Sequence, residues 1–247
     1  MKTAERTWWG PFRVVEGVAP ADRVRVIHVD LAPDAEREAE AVQWLDPSET
    51  ERLRRFRIDR PRREFALCRA ALRANLCDLL DCTNERLSFG SGEHGKPFAL
   101  VAGEAASTSF NLSHSAGHGL IAFAARERPR KRIGVDAEVR RPDRDFDGIG
   151  ERVFGPEERA ALFAARGGNK VHLFYRLWAL KEALIKALGT GFSLNPSRFE
   201  VPPAMIRETD SGVFRFPHLP ADRWRLECLD DDRFAAALAQ EVRPDGD

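Results

Sequence analysis

Phe174-Tyr175-Arg176-Leu177-Trp178-Ala179-Leu180-Lys181-Glu182-Ala183-Leu184-Ile185-Lys186-Ala187-Leu188-Gly189 is the stretch around which the chain is organised. Helix formers fill it, no proline interrupts it, and Gly189 and Gly191 stand where a left-handed cap would end it. The spacing predicts a long helix. Phe174, Leu177, Trp178, Leu184, Ile185 and Leu188 form its apolar stripe, and Lys181 takes a slot where that stripe calls for another apolar residue. Glu182 and Lys186, four apart, project from one face. They read either as a solvated ion pair or as part of a site. Lysine is scarce in this chain, at 2, 96, 131, 170, 181 and 186 only, so two on one short helix favour the site.

A second acidic pair lies upstream. Ile133-Gly134-Val135-Asp136-Ala137-Glu138-Val139 alternates as a strand, and Asp136 and Glu138, two apart, emerge on one face. Three carboxylates converging from strand and helix would make a hard oxygen site suited to Mg²⁺, with lysine beside it to complement a phosphate. Phosphoryl transfer is the chemistry these residues suggest.

The 247 residues suffice for one large or two small domains, and the formal charge is zero, so nothing pulls the whole chain toward nucleic acid or a membrane. No stretch approaches a membrane span and residues 1 to 10 contain no secretory apolar run, so the cytoplasm is expected. Cys68, Cys77, Cys82 and Cys228 form no C-x-x-C pair and read as reduced thiols.

Residues 1 to 22, broken by Pro11 and Pro20, read as an irregular arm whose Trp8 and Trp9 pack back or meet a partner. Val24 to Leu31 alternates as a strand. Asp46-Pro47-Ser48-Glu49 starts a helix through about Ile58, and a second runs from about Pro61 to Leu80. Arginines crowd both. They form either a solvated face or an anion site, with Arg62 and Arg69 two turns apart on one face. Gly90 to Phe98 is a turn-rich loop holding Lys96, with Gly95 free to take positive φ. Phe110 to Ala124 reads as strand, Ser113-His114-Ser115 turn, strand; Arg126 to Arg132 as a linker; and 140 to 150 as a charged loop. A short helix opens at Pro156 and ends at Gly167-Gly168. Strands are expected at 199–201, 212–216, 224–229 and 234–238.

Taken together and in order, Arg62-Arg63-Glu64-Phe65-Ala66-Leu67-Cys68-Arg69, Gly95-Lys96-Pro97, Phe110-Asn111-Leu112-Ser113-His114-Ser115, the Asp136/Glu138 strand and Trp178 to Gly189 resemble the Sfp-type 4′-phosphopantetheinyl transferases. The resemblance implies an α+β pseudo-dimer of two similar halves, residues 1–125 and 126–247, with coenzyme A in the cleft between them. It implies a monomer that moves 4′-phosphopantetheine from coenzyme A to a serine of an apo acyl or peptidyl carrier protein, releasing adenosine 3′,5′-bisphosphate. By position, Asp136, Glu138 and Glu182 would bind Mg²⁺, Glu182 would take the serine proton, and Lys186 would assist the leaving phosphate. Lys96, Ser113, His114, Lys181 and Lys186 would hold coenzyme A phosphates, with Arg62 and Arg69 placed for the 3′-phosphate. The alternatives are a Mg²⁺-dependent phosphohydrolase and a non-catalytic binder of nucleotide or carrier protein.

Overall fold

The structure, a computed structural model, describes residues 9–15, 23–92, 94–124, 132–189, 194–207, 209–216 and 219–242. The chain divides into two compact units, residues 1–93 with 97–130, and residues 94–96 with 131–247. Each unit combines a four-stranded antiparallel sheet with one 22-residue helix, the α+β plan expected of two similar halves.

In the first unit the sheet order is β1 (Trp9–Val15), β2 (Val24–Asp30), β7 (His118–Ala124), β6 (Phe110–Ser115). Helices α1 (Ala35–Trp44), α2 (Pro47–Arg55) and α3 (Asp59–Leu80) and the small sheet β3 (Leu87–Ser91), β4 (Pro97–Val101), β5 (Glu104–Ala105) complete it. Ile27, Val29, Phe110, Ile121 and Phe123 share one core with Ala66, Leu67, Ala70 and Ala71 of α3. Alanine along α3 lets a helix lie close to that sheet. Asp46 and Glu49 form a reciprocal capping box at the start of α2, as the Asp-Pro-Ser-Glu sequence predicts. Both acids also accept from Arg73 Nη1, at 3.2 and 3.1 Å, and Arg73 further donates to Asn84 and Leu87. A guanidinium only 1% exposed is thereby satisfied on every side and ties α2 to α3.

The expected irregular arm is corrected over part of its length. Residues 9–15 form β1, antiparallel to β2 at the edge of the sheet. Pro11 falls where the register slips between Trp9 and Phe12, and a residue without an N–H is tolerated at such a bulge on an edge strand. Trp8, residues 16–22, all but Arg132 of the expected 126–132 linker, and Gly191 lie outside the described residues. The Ser-His-Ser turn is also corrected, because Ser113 to Ser115 continue β6. The reversal is made instead by Ala116 and Gly117, both at positive φ. Gly90 to Phe98 closes the β3–β4 hairpin, and Gly95 takes φ +80° as expected.

In the second unit the sheet order is β8 (Ile133–Val139), β11 (Phe234–Val242), β10 (Leu219–Cys228), β9 (Ser211–Phe216). Helices α4 (Phe146–Val153), α5 (Pro156–Ala164), α6 (Gly167–Leu188) and α7 (Pro203–Arg207) accompany it. The central helix begins seven residues before the quoted stretch, and the Gly167-Gly168 pair opens it instead of closing α5. Residues 199–201, expected as a strand, are irregular, and the expected 140–150 loop gives way to α4 from Phe146. Asp145 caps α4 by accepting from the Gly148 N–H. The β9, β10 and β11 expectations match the observed strands.

Among the described residues no helix is long and apolar enough to cross a membrane. All four cysteines are free.

Candidate active site

Small residues bring α6 onto β8. Register pairs Gly134, Asp136 and Glu138 with Ala239, Ala237 and Ala235, and these three alanines lie in the same core as α6. Directly opposed residues share a face, so Gly134, Asp136 and Glu138 all belong to the helix-packed face, as the alternation predicts. A Cβ on Gly134 would lie 2.1 Å from the Ala183 carbonyl and 2.4 Å from the Ala187 nitrogen. No side chain fits there. The close approach puts the last turns of α6 directly over β8.

Lys186 and Asp136 consequently meet. The Lys186 ammonium donates to Asp136 Oδ1 at 2.6 Å, although Asp136 is 3% exposed. Glu182, one turn earlier on the same face of α6, has its carboxyl pushed above the usual range by burial, by Asp136 and by Glu138, against the pull of Lys186. Of the four residues expected from strand and helix to converge, Asp136, Glu138 and Lys186 all act electrostatically on Glu182, and Lys186 pairs with Asp136. Among the described residues, no three His, Cys, Asp or Glu side chains close into a metal-holding group. Lys186 is the cation paired with Asp136 in this arrangement.

Lys181 does not join them. Its side chain is 3% exposed and pairs at 2.7 Å with Glu158 of α5, itself 0% exposed. It also donates to the carbonyls of Pro196 and Phe199 and lies over the Phe199 ring. Glu158 in turn accepts from the Gly155 and Val201 N–H groups. Burial pushes both charges toward neutrality, and their contact opposes it. The break in the apolar stripe is an internal ion pair that fastens α6 to α5 and to the 196–201 segment.

Lys96 is likewise engaged within its unit. Its ammonium donates to the carbonyls of Ile133, Lys186 and Ala187 at 2.8, 2.8 and 3.0 Å. It thereby joins the start of β8 to the end of α6 and supplies a cation where a helix leaves its carbonyls unsatisfied. Burial, with Arg132 nearby, brings it down to about 8, against a pull upward from Glu241.

The remaining candidates belong to the first unit. Ser113 and His114 are neighbours on β6 and project from opposite faces. Ser113 is buried, while His114 Nδ1 lies 3.6 Å from Glu64, which Arg60 also reaches at 2.8 Å. Arg69 sits 3.4 Å from Glu49 with its guanidinium over Phe89. Arg62 is exposed and lines a cavity with α1. The two arginines thus have different neighbours despite their common helix face.

Comparison with known proteins adds the family. Residues 132–239 match the model of the 4′-phosphopantetheinyl transferase superfamily. Residues 31–127 match that of the 4′-phosphopantetheinyl transferase N-terminal region. A Synechocystis protein whose name proposes it as a 4′-phosphopantetheinyl transferase is 34% identical over 188 residues, 74% of this chain and 70% of its own. The chain belongs to the 4′-phosphopantetheinyl transferase superfamily. The Nostoc 4′-phosphopantetheinyl transferase HetI is 29% identical over 220 residues, 89% of this chain and 88% of its own. The Bacillus subtilis 4′-phosphopantetheinyl transferase Sfp is 27% identical over 175 residues, 71% and 74% of the two chains. The superfamily match of residues 132–239 spans Asp136, Glu138, Glu182 and Lys186, and the chain is a phosphopantetheinyl transferase of the Sfp type.

Proposed function

We propose that this transferase moves 4′-phosphopantetheine from coenzyme A to the serine hydroxyl of an apo acyl or peptidyl carrier protein, with Mg²⁺, releasing adenosine 3′,5′-bisphosphate. The observation that carries the reading is the meeting of Lys186 with Asp136 beside a Glu182 carboxyl that feels both β8 acids. The chemistry of the donor set, three carboxylates, suits the metal even though their side chains do not close into a ligand group in this arrangement. Asp136, Glu138 and Glu182 offer only carboxylate oxygens, and their mutual repulsion favours a hard cation among them. These three residues would hold it, and Mg²⁺ bound there would neutralise pyrophosphate charge as the leaving group departs.

The chain's own side chains do the rest. Serine is a poor nucleophile at neutral pH, and a carboxylate whose proton affinity is raised is suited to accept its proton, which assigns Glu182 as base. The serine Oγ attacks the pantetheine-bearing phosphorus, and the bond from that phosphorus to the bisphosphate oxygen breaks. Lys186, released from Asp136, donates to the oxygen on which charge develops. Coenzyme A phosphates fall to Arg62, Arg69, Ser113, His114 and Lys186, since Lys96 and Lys181 are engaged internally. On this reading the enzyme works as a cytoplasmic monomer.

Incubation with coenzyme A, Mg²⁺ and a panel of apo carrier proteins, read by intact mass, tests the reading. One phosphopantetheine gained on a carrier, and lost with EDTA or in Glu182→Gln, is the expected result. Coenzyme A hydrolysed with no carrier modified would replace it with the phosphohydrolase reading.

A further inference from the structure

The C-terminal cap of α3 is closed between two cysteines. Asp81, just past the helix, takes the left-handed conformation at φ 51° and ψ 54°, which aspartate tolerates better than most side chains. The chain turns back there. The Asp81 and Cys82 N–H groups both donate to the Cys77 carbonyl, Cys82 at 3.0 Å. A bond from the second residue past a helix to a carbonyl of its last turn is the Schellman closure, which sets those two side chains against each other. Apolar residues commonly fill both places, and here both are cysteine.

The two side chains pack against the same core, that of the first unit, and their thiols are hydrogen-bonded to one another. Both are half-buried, whereas Cys68 and Cys228 are sealed at 2% and 4% exposure. Thiols already in contact on a backbone fixed by the cap can bond without the backbone movement that a distant pair requires.

We propose that Cys77 and Cys82 form a redox site, apart from the transferase reaction, in which the dithiol closes to a reversible disulfide by exchange with a small-molecule disulfide such as oxidised glutathione and locks the end of α3. The exchange takes two steps. The Cys82 thiol gives its proton to solvent and its sulfur attacks the small disulfide, forming a mixed disulfide and releasing one small thiol. The Cys77 sulfur then attacks Cys82 Sγ, the mixed bond breaks, and the Cys77 proton leaves with the second small thiol. The protein pair is oxidised and the small disulfide is reduced to two thiols. Burial and the adjoining Cys82 push the Cys77 thiol up to about 12, which leaves Cys82 to open the exchange. Beyond the cap the chain runs directly to Asn84, which accepts from Arg73 at 2.7 and 2.9 Å and donates to the Trp44 carbonyl at 2.9 Å. A covalent bond across the cap ties that network to the helix end.

Treatment of the full chain with oxidised glutathione, denaturing quench with N-ethylmaleimide and tryptic mapping test the proposal. Cleavage after Arg73 and Arg86 leaves both cysteines on one peptide, residues 74–86. That peptide should be unlabelled and lighter than the free dithiol by about 2 Da, while Cys68 and Cys228 take the label. Cys77→Ser should stop at a glutathione adduct on Cys82, and Cys82→Ser should react at least about tenfold more slowly than wild type. Amide exchange at residues 81 and 82 of the wild-type protein should slow by about tenfold on oxidation, and dithiothreitol should reverse both changes. A 74–86 peptide that still takes maleimide on both cysteines under excess oxidised glutathione overturns the proposal. So does a lasting glutathione adduct on wild-type Cys82, and unchanged amide exchange in the oxidised protein overturns the locking.

Discussion

Lys186 reaches from the last turn of α6 to place its ammonium 2.6 Å from Asp136 Oδ1 on β8. The lysine side chain is 29% exposed and the carboxylate 4%, so one end of the pair faces solvent while the other is sealed in. Removing the lysine leaves a buried charge without its counter-ion, whereas removing both charges does not. Lys186→Met should therefore lower stability by roughly 1 to 3 kcal/mol, discounted for the exposed end. Asp136→Asn/Lys186→Met should recover most of it, and neither variant should transfer phosphopantetheine. Urea unfolding of the two singles and the double checks this, and an additive cycle would show that the pair contributes nothing.

Gly134 makes that contact possible. Its missing Cβ leaves room for the Ala183 carbonyl and the Ala187 nitrogen, backbone atoms that no rotamer change can move aside. Gly134→Ala should cost about 2 to 3 kcal/mol by forcing α6 off the sheet. It should also lower kcat by at least about tenfold, because Lys186 and Glu182 ride on the displaced helix. Gly168→Ala, near the other end of α6 with open space around it, serves as the control and should be neutral or slightly stabilising. A Gly134→Ala protein with wild-type melting and turnover would refute the close-packing account.

The elements that carry this site were legible because both follow simple periodicities. Asp136 and Glu138 alternate in a seven-residue strand, and Glu182 and Lys186 repeat at four on a proline-free helix. Lys181's pairing with Glu158 was not legible, because spacing alone cannot distinguish a charge facing a ligand from one facing a buried acid. Its partner Glu158 sits on another helix, where Pro156-Glu157-Glu158 looks like an ordinary solvated first turn. The β1 strand was hidden by Pro11, whose tolerance depends on an edge position that only the assembled sheet reveals. Helix α4 was masked by its own Gly148 and Gly150, and α1, despite its Asp34 cap, by a high charge density that blurs its apolar face. The Gly189 cap, by contrast, is a local steric requirement, and it appears at φ +74°.

Lys96 gives the fold a pH dependence. Burial holds its ammonium down at about 8, while the unfolded chain's lysine titrates near 10.5. Between those values the unfolded state binds more protons, so this residue's contribution makes stability rise with pH across the window. Lys96→Met should lose that slope. At pH 7 it should also lose about 2 kcal/mol, since three carbonyls at the β8–α6 junction lose their donor. Denaturant midpoints of both proteins at pH 7.5, 9 and 10 check the point, and parallel curves would refute it.

The Lys181–Glu158 pair separates architecture from catalysis within one helical turn. Lys181 and Glu182 are adjacent, yet Lys181 turns into the core toward α5 while Glu182 faces the β8 acids. Lys181→Met leaves Glu158 buried at 0% exposure with, among the described residues, the Gly155 and Val201 N–H groups as its remaining hydrogen-bond partners. The expected cost is about 3 to 5 kcal/mol, the range for stripping one member from a sealed ion pair. Replacing both residues by apolar ones of similar volume, Lys181→Met/Glu158→Leu, should return most of the stability. Folded at low temperature, the double variant should retain the wild-type KM for coenzyme A. A stable Lys181→Met protein whose coenzyme A KM rises about tenfold would instead return Lys181 to the phosphate site.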